Sequence, residues 1–138
     1  MPKLDIIHNA VKNALIKDGW TITHDPFIID YKELTLYADL AAERPIAAER
    51  AGRKIVVEVK SFVGASKIQD LKIGLGQYEI YVSLLEITDP KRKLYIAISE
   101  KVYDDFFTLE AIQVIINRLQ VPLIVVNPET EEIVKWTS

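Results

Sequence analysis

Glu58 and Lys60 stand two residues apart in the apolar run Ile55-Val56-Val57-Glu58-Val59-Lys60, and another acid, Asp39, precedes them. Successive side chains of a strand point to opposite faces, so the carboxylate and the ammonium project together from one side, with Val57 and Val59 on the other. Carboxylates are hard oxygen donors of the kind a divalent cation takes, and a lysine beside them could assist a water attacking a phosphodiester. A run this rich in Ile and Val otherwise reads as a core strand, where burying a charge is costly unless a partner or a metal compensates. The plainer option is a structural ion pair of Lys60 with Asp39 or with Glu43.

The elements that must position these residues follow from periodicity. Apolar residues at Leu4, Ile7, Val11, Ala14 and Leu15 have helical spacing, and Gly19 is a natural stop for a helix over Leu4 to Asp18. Trp20 to Thr23 and Phe27 to Tyr31 read as strands separated by the turn signal Asp25-Pro26. Leu34 to Leu40 is extended, Ala41 to Arg50 is ambiguous between helix and strand, and Ala51-Gly52 reads as a turn before the central strand, Arg53 to Ser61. Ile68, Leu71, Leu75, Tyr78, Val82 and Leu85 predict a long helix from about Ser66 to Glu86. Gly74 and Gly76 inside it each cost about 1 kcal/mol relative to alanine, which points to close packing or the close approach of another group. A strand over Leu94 to Ile98, helices over Glu100 to Phe107 and Glu110 to Leu119, a strand over Pro122 to Val126 and an edge strand over Ile133 to Trp136 complete the chain. A strand–helix–strand crossover makes part of the sheet parallel, so the expected class is α/β with a mixed sheet flanked by helices.

The 138 residues, 49% of them hydrophobic, suit one domain over 1–138. There is no cysteine, so a disulfide framework, a thiolate zinc site and a cysteine nucleophile are excluded. No apolar run approaches the roughly 20 residues that cross a bilayer, and Met1-Pro2-Lys3-Leu4-Asp5 lacks the apolar segment of a signal peptide; the expectation is a cytoplasmic protein with no membrane association. The net charge of −3 argues against a purely electrostatic nucleic-acid binder, although Arg44, Arg50, Arg53 and Lys54 cluster before the central strand and Lys91-Arg92-Lys93 forms a short basic run.

Asp39, then Glu58-Val59-Lys60 on a hydrophobic strand, then a helix bearing Gln77 and Tyr81, resembles the PD-(D/E)xK nuclease superfamily, whose fold is restriction-endonuclease-like. More narrowly, the stretches Val11-Lys12-Asn13-Ala14-Leu15-Ile16-Lys17-Asp18-Gly19-Trp20-Thr21-Ile22-Thr23-His24-Asp25-Pro26 and Val57-Glu58-Val59-Lys60-Ser61-Phe62 resemble the XisH family of excision-controlling factors, associated with programmed excision of the fdxN DNA element. The resemblance implies that Asp39, Glu58 and the Val59 carbonyl hold magnesium or manganese, that Lys60 assists the water, and that Gln77 with Tyr81 orients the lysine or the DNA backbone. It also implies DNA as substrate and a protein partner in the excision machinery, with self-association a further option. The motif's proline is replaced by Ala38. Two functions remain open: an endodeoxyribonuclease acting in DNA rearrangement, and a non-catalytic factor that assists a site-specific recombinase through a partner.

A simple hairpin at Ala51-Gly52 would set Arg50 against Arg53, Glu43 against Lys60 and Asp39 against Gly64. Asp39 would then lie on the correct face but about four residues beyond Lys60, roughly 13 Å along the strand, unless a bulge or bend near Arg44-Pro45 shortened the distance. Glu43 is therefore the reserve acid. His8, near the polar edge of the first helix, and His24, before a turn, read as surface or hydrogen-bonded structural residues.

Overall fold

The computed structural model describes residues 6–46 and 49–137. Helix α1 (His8–Lys17) buries His8, Val11, Ala14 and Leu15, a set spaced for one helical face. Gly19, at φ +94°, takes the left-handed conformation in which a helix commonly ends. Leu4 and Asp5, where the helix was expected to begin, lie outside the described residues. Strand β1 (Thr21–His24) is followed by a turn at the cis Asp25-Pro26 bond, then by β2 (Phe27–Tyr31) and β3 (Leu34–Ala38). Next come β4 (Leu40–Ile46), β5 (Glu49–Val59), α2 (Lys67–Thr88) and β6 (Arg92–Ser99). Helix α3 (Glu100–Val102) continues as a π-helical turn over Tyr103–Phe107, and α4 (Glu110–Leu119), β7 (Leu123–Asn127) and β8 (Glu132–Thr137) close the order.

Six strands form one sheet in the order β1-β4-β5-β6-β7-β8, and β2 with β3 makes a separate antiparallel ribbon. The β5–β6 and β6–β7 pairs are parallel because α2 and then α3–α4 cross between them; the remaining pairs are antiparallel. This is the expected α/β class with a mixed sheet. Alternation along β5 divides the interior in two. Val56 joins Leu94, Ile96 and Ile98 in packing against Leu71, Tyr78, Tyr81 and Leu85 of α2. Ile55, Val57 and Val59 join Tyr95 and Ala97 on the α1 side, where the rings of Trp20 and Trp136 lie 5.6 Å apart.

Three sequence expectations change. The turn expected at Ala51-Gly52 is internal to β5: the β4–β5 ladder runs from Leu40 opposite Val57 to Ile46 opposite Glu49, with a register shift between Arg44 and Ile46. The connection at 47–48, part of the ambiguous Ala41 to Arg50 stretch, lies outside the described residues. Gly52 has φ +65°, and a Cβ there would sit 2.4 Å from the Arg44 carbonyl oxygen, so the ladder irregularity beside Pro45 demands glycine. Second, the stretch expected as a plain helix over Glu100 to Phe107 widens into a π turn, which lets the adjacent Phe106 and Phe107 both be buried with their rings 5.4 Å apart. Third, a Cβ added at Gly74 or Gly76 would meet nothing within 4 Å, so close packing within the protein does not explain either glycine.

The two kinds of glycine make a direct test. Gly76→Ala should stabilise the protein by about 1 kcal/mol in urea unfolding, the ordinary helix-interior difference. Gly52→Ala should instead destabilise it by at least about 1 kcal/mol, since alanine fits neither the dihedral nor the space. Equal midpoints for the two variants would contradict this assignment.

Candidate functional site

The β4–β5 register carries Asp39 to the end of the central strand. Leu40 pairs with Val57, so Asp39 lies one step beyond the ladder, level with Glu58 and not with Gly64 as the simple hairpin implied. The two strands then exchange side-chain bonds where the backbone ladder stops. The Asp39 N–H donates to Glu58 Oε1 at 3.0 Å, and the Val59 N–H donates to Asp39 Oδ2 at 2.7 Å. On its other edge β5 continues in parallel pairing, with the Lys60 N–H donating to the Ala97 carbonyl at 2.9 Å. Buried backbone donors need acceptors, and past Leu40 the β4 side provides one only through the Asp39 carboxylate.

Glu58 and Lys60 share a face as strand alternation requires, with Lys60 Nζ 3.8 Å from Glu58 Oε2. Gln77 and Tyr81, one turn apart on α2, meet them. Tyr81 donates its hydroxyl proton to the Tyr37 carbonyl at 3.0 Å, and Gln77 Nε2 donates to the Tyr81 oxygen at 3.2 Å. That leaves Gln77 Oε1 to accept from Lys60 Nζ. The direction of each bond fixes the next, so the lysine is held by a relay that runs from the strand β3 just before Asp39 through α2. Lys60 also borders an open cavity of about 230 Å³ together with Phe62, Val63 and Asp70. Four predicted site side chains, Asp39, Glu58, Lys60 and Gln77, are thus brought together with the Val59 backbone, and Tyr81 supports them.

Glu43 does not join them. It lies opposite Lys54 in the ladder and is engaged by Arg92 at 3.4 Å and Lys54 at 3.8 Å, so the reserve acid belongs to a separate ion-pair cluster. His8 departs in the other direction. Instead of lying at a polar edge it is only 2% exposed, with Nε2 3.0 Å from Asp25 Oδ1 and Nδ1 3.9 Å from Asp39 Oδ1. Its spacing of three and seven residues from Val11 and Leu15 was the available signal, since it sets His8 on the buried stripe of α1. His24 stays exposed, its Nδ1 on the Thr23 hydroxyl and its ring edge-on to Phe27.

Glu58 is 4% exposed and its pKa is pushed up from 4.5 to about 8, by burial first and by the negative charge of Asp39 second; Lys60 and the Asp39 N–H only partly offset this. Two crowded carboxylates, each giving one oxygen to a backbone N–H and turning the other away from it, form a donor set that suits a hard divalent cation, which would favour the charged form of both. Asp39, Glu58 and the Val59 carbonyl are the groups that would hold it. Among the described residues, no three His, Cys, Asp or Glu side chains are already grouped as a metal cage.

Fold and cluster together define an α/β protein whose mixed sheet carries two carboxylates and a lysine at the end of its central strand, locked to the following helix by a glutamine. The chain matches the family described as XisH protein over residues 1–134, and it belongs to the XisH family. It is 38% identical to an XisH family protein from Nostoc punctiforme PCC 73102, whose crystal structure superposes with a TM-score of 0.88 over 97% of this chain and 100% of that one. It is 40% identical to an fdxN element excision controlling factor protein from Anabaena variabilis, with a TM-score of 0.86 over 98% of this chain and 100% of that one. A comparison with curated proteins gave no match. No helix among the described residues is long and apolar enough to cross a membrane.

The Glu58 shift has a definite sign. Its folded value, about 8, lies above the unfolded value, so the stability tied to its proton is fully present below about 4.5 and is lost as pH rises through about 8. In the absence of metal, Glu58→Gln should match wild type in denaturant unfolding near pH 4.5 and exceed it progressively toward pH 8.5. Stability curves that stay parallel over that window would remove the buried-carboxylate assignment.

Proposed function

We propose that this protein is a metal-dependent, PD-(D/E)xK-type DNA phosphodiesterase that acts in the excision of a DNA element. The observation that carries the reading is the reciprocal bonding of Asp39 with Glu58 and Val59, beside a lysine held by Gln77. That arrangement joins the two acids, the intervening carbonyl and the lysine that such a nuclease uses. Asp39, Glu58 and the Val59 carbonyl hold magnesium or manganese. A divalent cation, when bound, acidifies water and offsets the charge that builds on a phosphate in hydrolysis. Lys60, next to an open cavity, hydrogen-bonds and orients the attacking water, and Gln77 keeps its ammonium group from turning away. The role in excision is supported by the relative from Anabaena variabilis, described as an fdxN element excision controlling factor. DNA is the substrate, and a protein of the excision machinery is the partner.

A second reading keeps the excision role without catalysis: a controlling factor that assists a site-specific recombinase through protein contacts. It is favoured by the net charge of −3, which suits a protein partner better than bare DNA. Both readings can be separated on purified protein. Under the nuclease reading, a panel of duplex, nicked, branched and single-stranded DNA incubated with manganese contains at least one substrate that is cut. Lys60→Ala then lowers that rate by about 100-fold or more with an unchanged circular dichroism spectrum. Titration calorimetry should detect manganese binding that Glu58→Ala abolishes. A panel left wholly intact selects the regulator.

A further inference from the structure

Helix α2 is apolar on two sides, and the fold uses only one of them. Leu71, Tyr78 and Leu85, seven residues apart, are buried against the sheet. On the opposite face Ile73, Ile80 and Ile87 repeat at the same interval, and they are 67%, 54% and 60% exposed. Gln69, Gly76 and Ser83, also exposed, alternate with them at steps of four and three residues. Such steps form the seam of a coiled coil, the stripe that one helix turns toward another. A row of isoleucines held in water along that stripe marks an interaction surface. The seam also accounts for Gly76. Among the described residues nothing lies within 4 Å of where its Cβ would be, yet glycine in a helix interior costs about 1 kcal/mol relative to alanine. The room it leaves is outside the molecule, where it lets a second backbone approach.

The order of sizes and charges along the stripe selects the partner. If a second copy of α2 runs antiparallel to the first about a two-fold axis level with Tyr78, Ile80 faces the partner's Gly76 and Ile73 faces the partner's Ser83. Each of these isoleucines then enters a space that a small residue leaves. On one flank Lys72 comes opposite the partner's Glu86, and symmetry makes that ion pair occur twice. Glu79 meets its own counterpart beside the axis, the like-charge contact of this arrangement. A parallel pair is worse on both counts. It sets isoleucine on isoleucine, leaves holes at Gly76 and Ser83, and brings Lys72 to Gln77 and Glu79 to Leu84, with no opposite charges matched. A stripe that complements its own reverse in size and charge is an isologous surface.

We infer that the outer face of α2 is a self-association surface, on which two copies of this chain pair through antiparallel α2 helices with Ile80 packed on Gly76 at the centre. Ile73 also borders the cavity beside Lys60, so one end of the seam lies next to the candidate site. The 22 residues of α2 offer a strip about 33 Å long and 10 Å wide. That is small beside the roughly 800 Å² per partner of a standard interface. The dimer is therefore reversible, with a dissociation constant of about 10 μM or weaker. It does not depend on the metal chemistry, because none of the seam residues is among the groups assigned to a cation.

The test is analytical ultracentrifugation of the full chain from about 1 μM to about 1 mM, over which the sedimenting mass should rise from monomer toward dimer. Ile80→Glu should hold it at monomer throughout with an unchanged circular dichroism spectrum, since Ile80 is half exposed. Lys72→Glu should weaken association by about fivefold and Glu86→Lys in the same chain should restore it, while Glu79→Gln should tighten it by about fivefold. The chain has no cysteine, so introduced ones report the register. A short bis-maleimide should join Glu79→Cys to itself, should leave Lys72→Cys and Glu86→Cys unjoined when each is alone, and should join those two when mixed. A chain that is still monomeric at the highest concentration overturns the inference and leaves the stripe to a different protein. A dimer indifferent to Ile80→Glu, or a Lys72→Cys variant that links to itself, overturns it as well.

Discussion

A carboxylate buried on the central strand of a sheet has to be satisfied, and Glu58 is satisfied from three directions. The Asp39 N–H meets one oxygen, the Lys60 ammonium approaches the other, and the strand itself continues into β6 pairing on the far edge. A valine at the same position would gain about 1.5 to 3 kcal/mol from burial. An ionised carboxylate there forgoes that gain and carries a desolvation penalty of several kcal/mol, so position 58 is not occupied for stability. The raised pKa expresses the same conflict: Glu58 and Asp39 are close enough to oppose each other's charge, and a cation is the simplest agent that would reconcile them.

Much of the surrounding structure maintains that encounter. Asp39 falls between β3 and β4, where the chain leaves the two-stranded ribbon and enters the main sheet. Its side chain caps the Val59 N–H, its backbone caps Glu58, and Tyr37, two residues earlier, anchors the Tyr81 hydroxyl of α2. Helix α2 therefore does more than cover apolar surface. Leu71, Tyr78 and Leu85 pack it onto the sheet, and the same stripe aims Gln77 and Tyr81 at Lys60. From the opposite layer α1 delivers His8 to the far side of Asp39. The site is thus a seam where both layers, the ribbon and the sheet meet: Glu58 and Lys60 come from the end of β5, Gln77 and Tyr81 from α2, His8 from α1, and Asp39 from the link between β3 and β4.

How legible this was depended on the distance over which each fact is encoded. Helix α4 was expected over Glu110 to Leu119 and found there, because its apolar spacing and its ends are local. The shared face of Glu58 and Lys60 follows from strand alternation alone, and the four-residue spacing of Gln77 and Tyr81 from the helical turn. The β4–β5 register was not legible in the same way. Gly52 is a strong turn signal in isolation, yet the left-handed residue it supplies serves an irregular ladder beside Pro45, and the strands close nearer to Ile46 and Glu49. A misplaced turn shifts every partner, and this is why Asp39 seemed remote and Glu43 seemed a substitute.

The sequence by itself determined the α/β class, the succession of helices and strands apart from β4, which falls in the ambiguous stretch Ala41 to Arg50, and the identity of the charged residues that leave an apolar strand unexplained. Those are properties of short windows, where periodicity of two or 3.6 residues is decisive. Only the tertiary structure decided that Asp39 stands beside Glu58, that Glu43 is held by Lys54 and Arg92, and that His8 faces Asp39 from the opposite layer. Each of those pairings joins residues far apart in the chain. It is selected by where two layers can pack and where a buried donor can find an acceptor, and no local pattern carries that information.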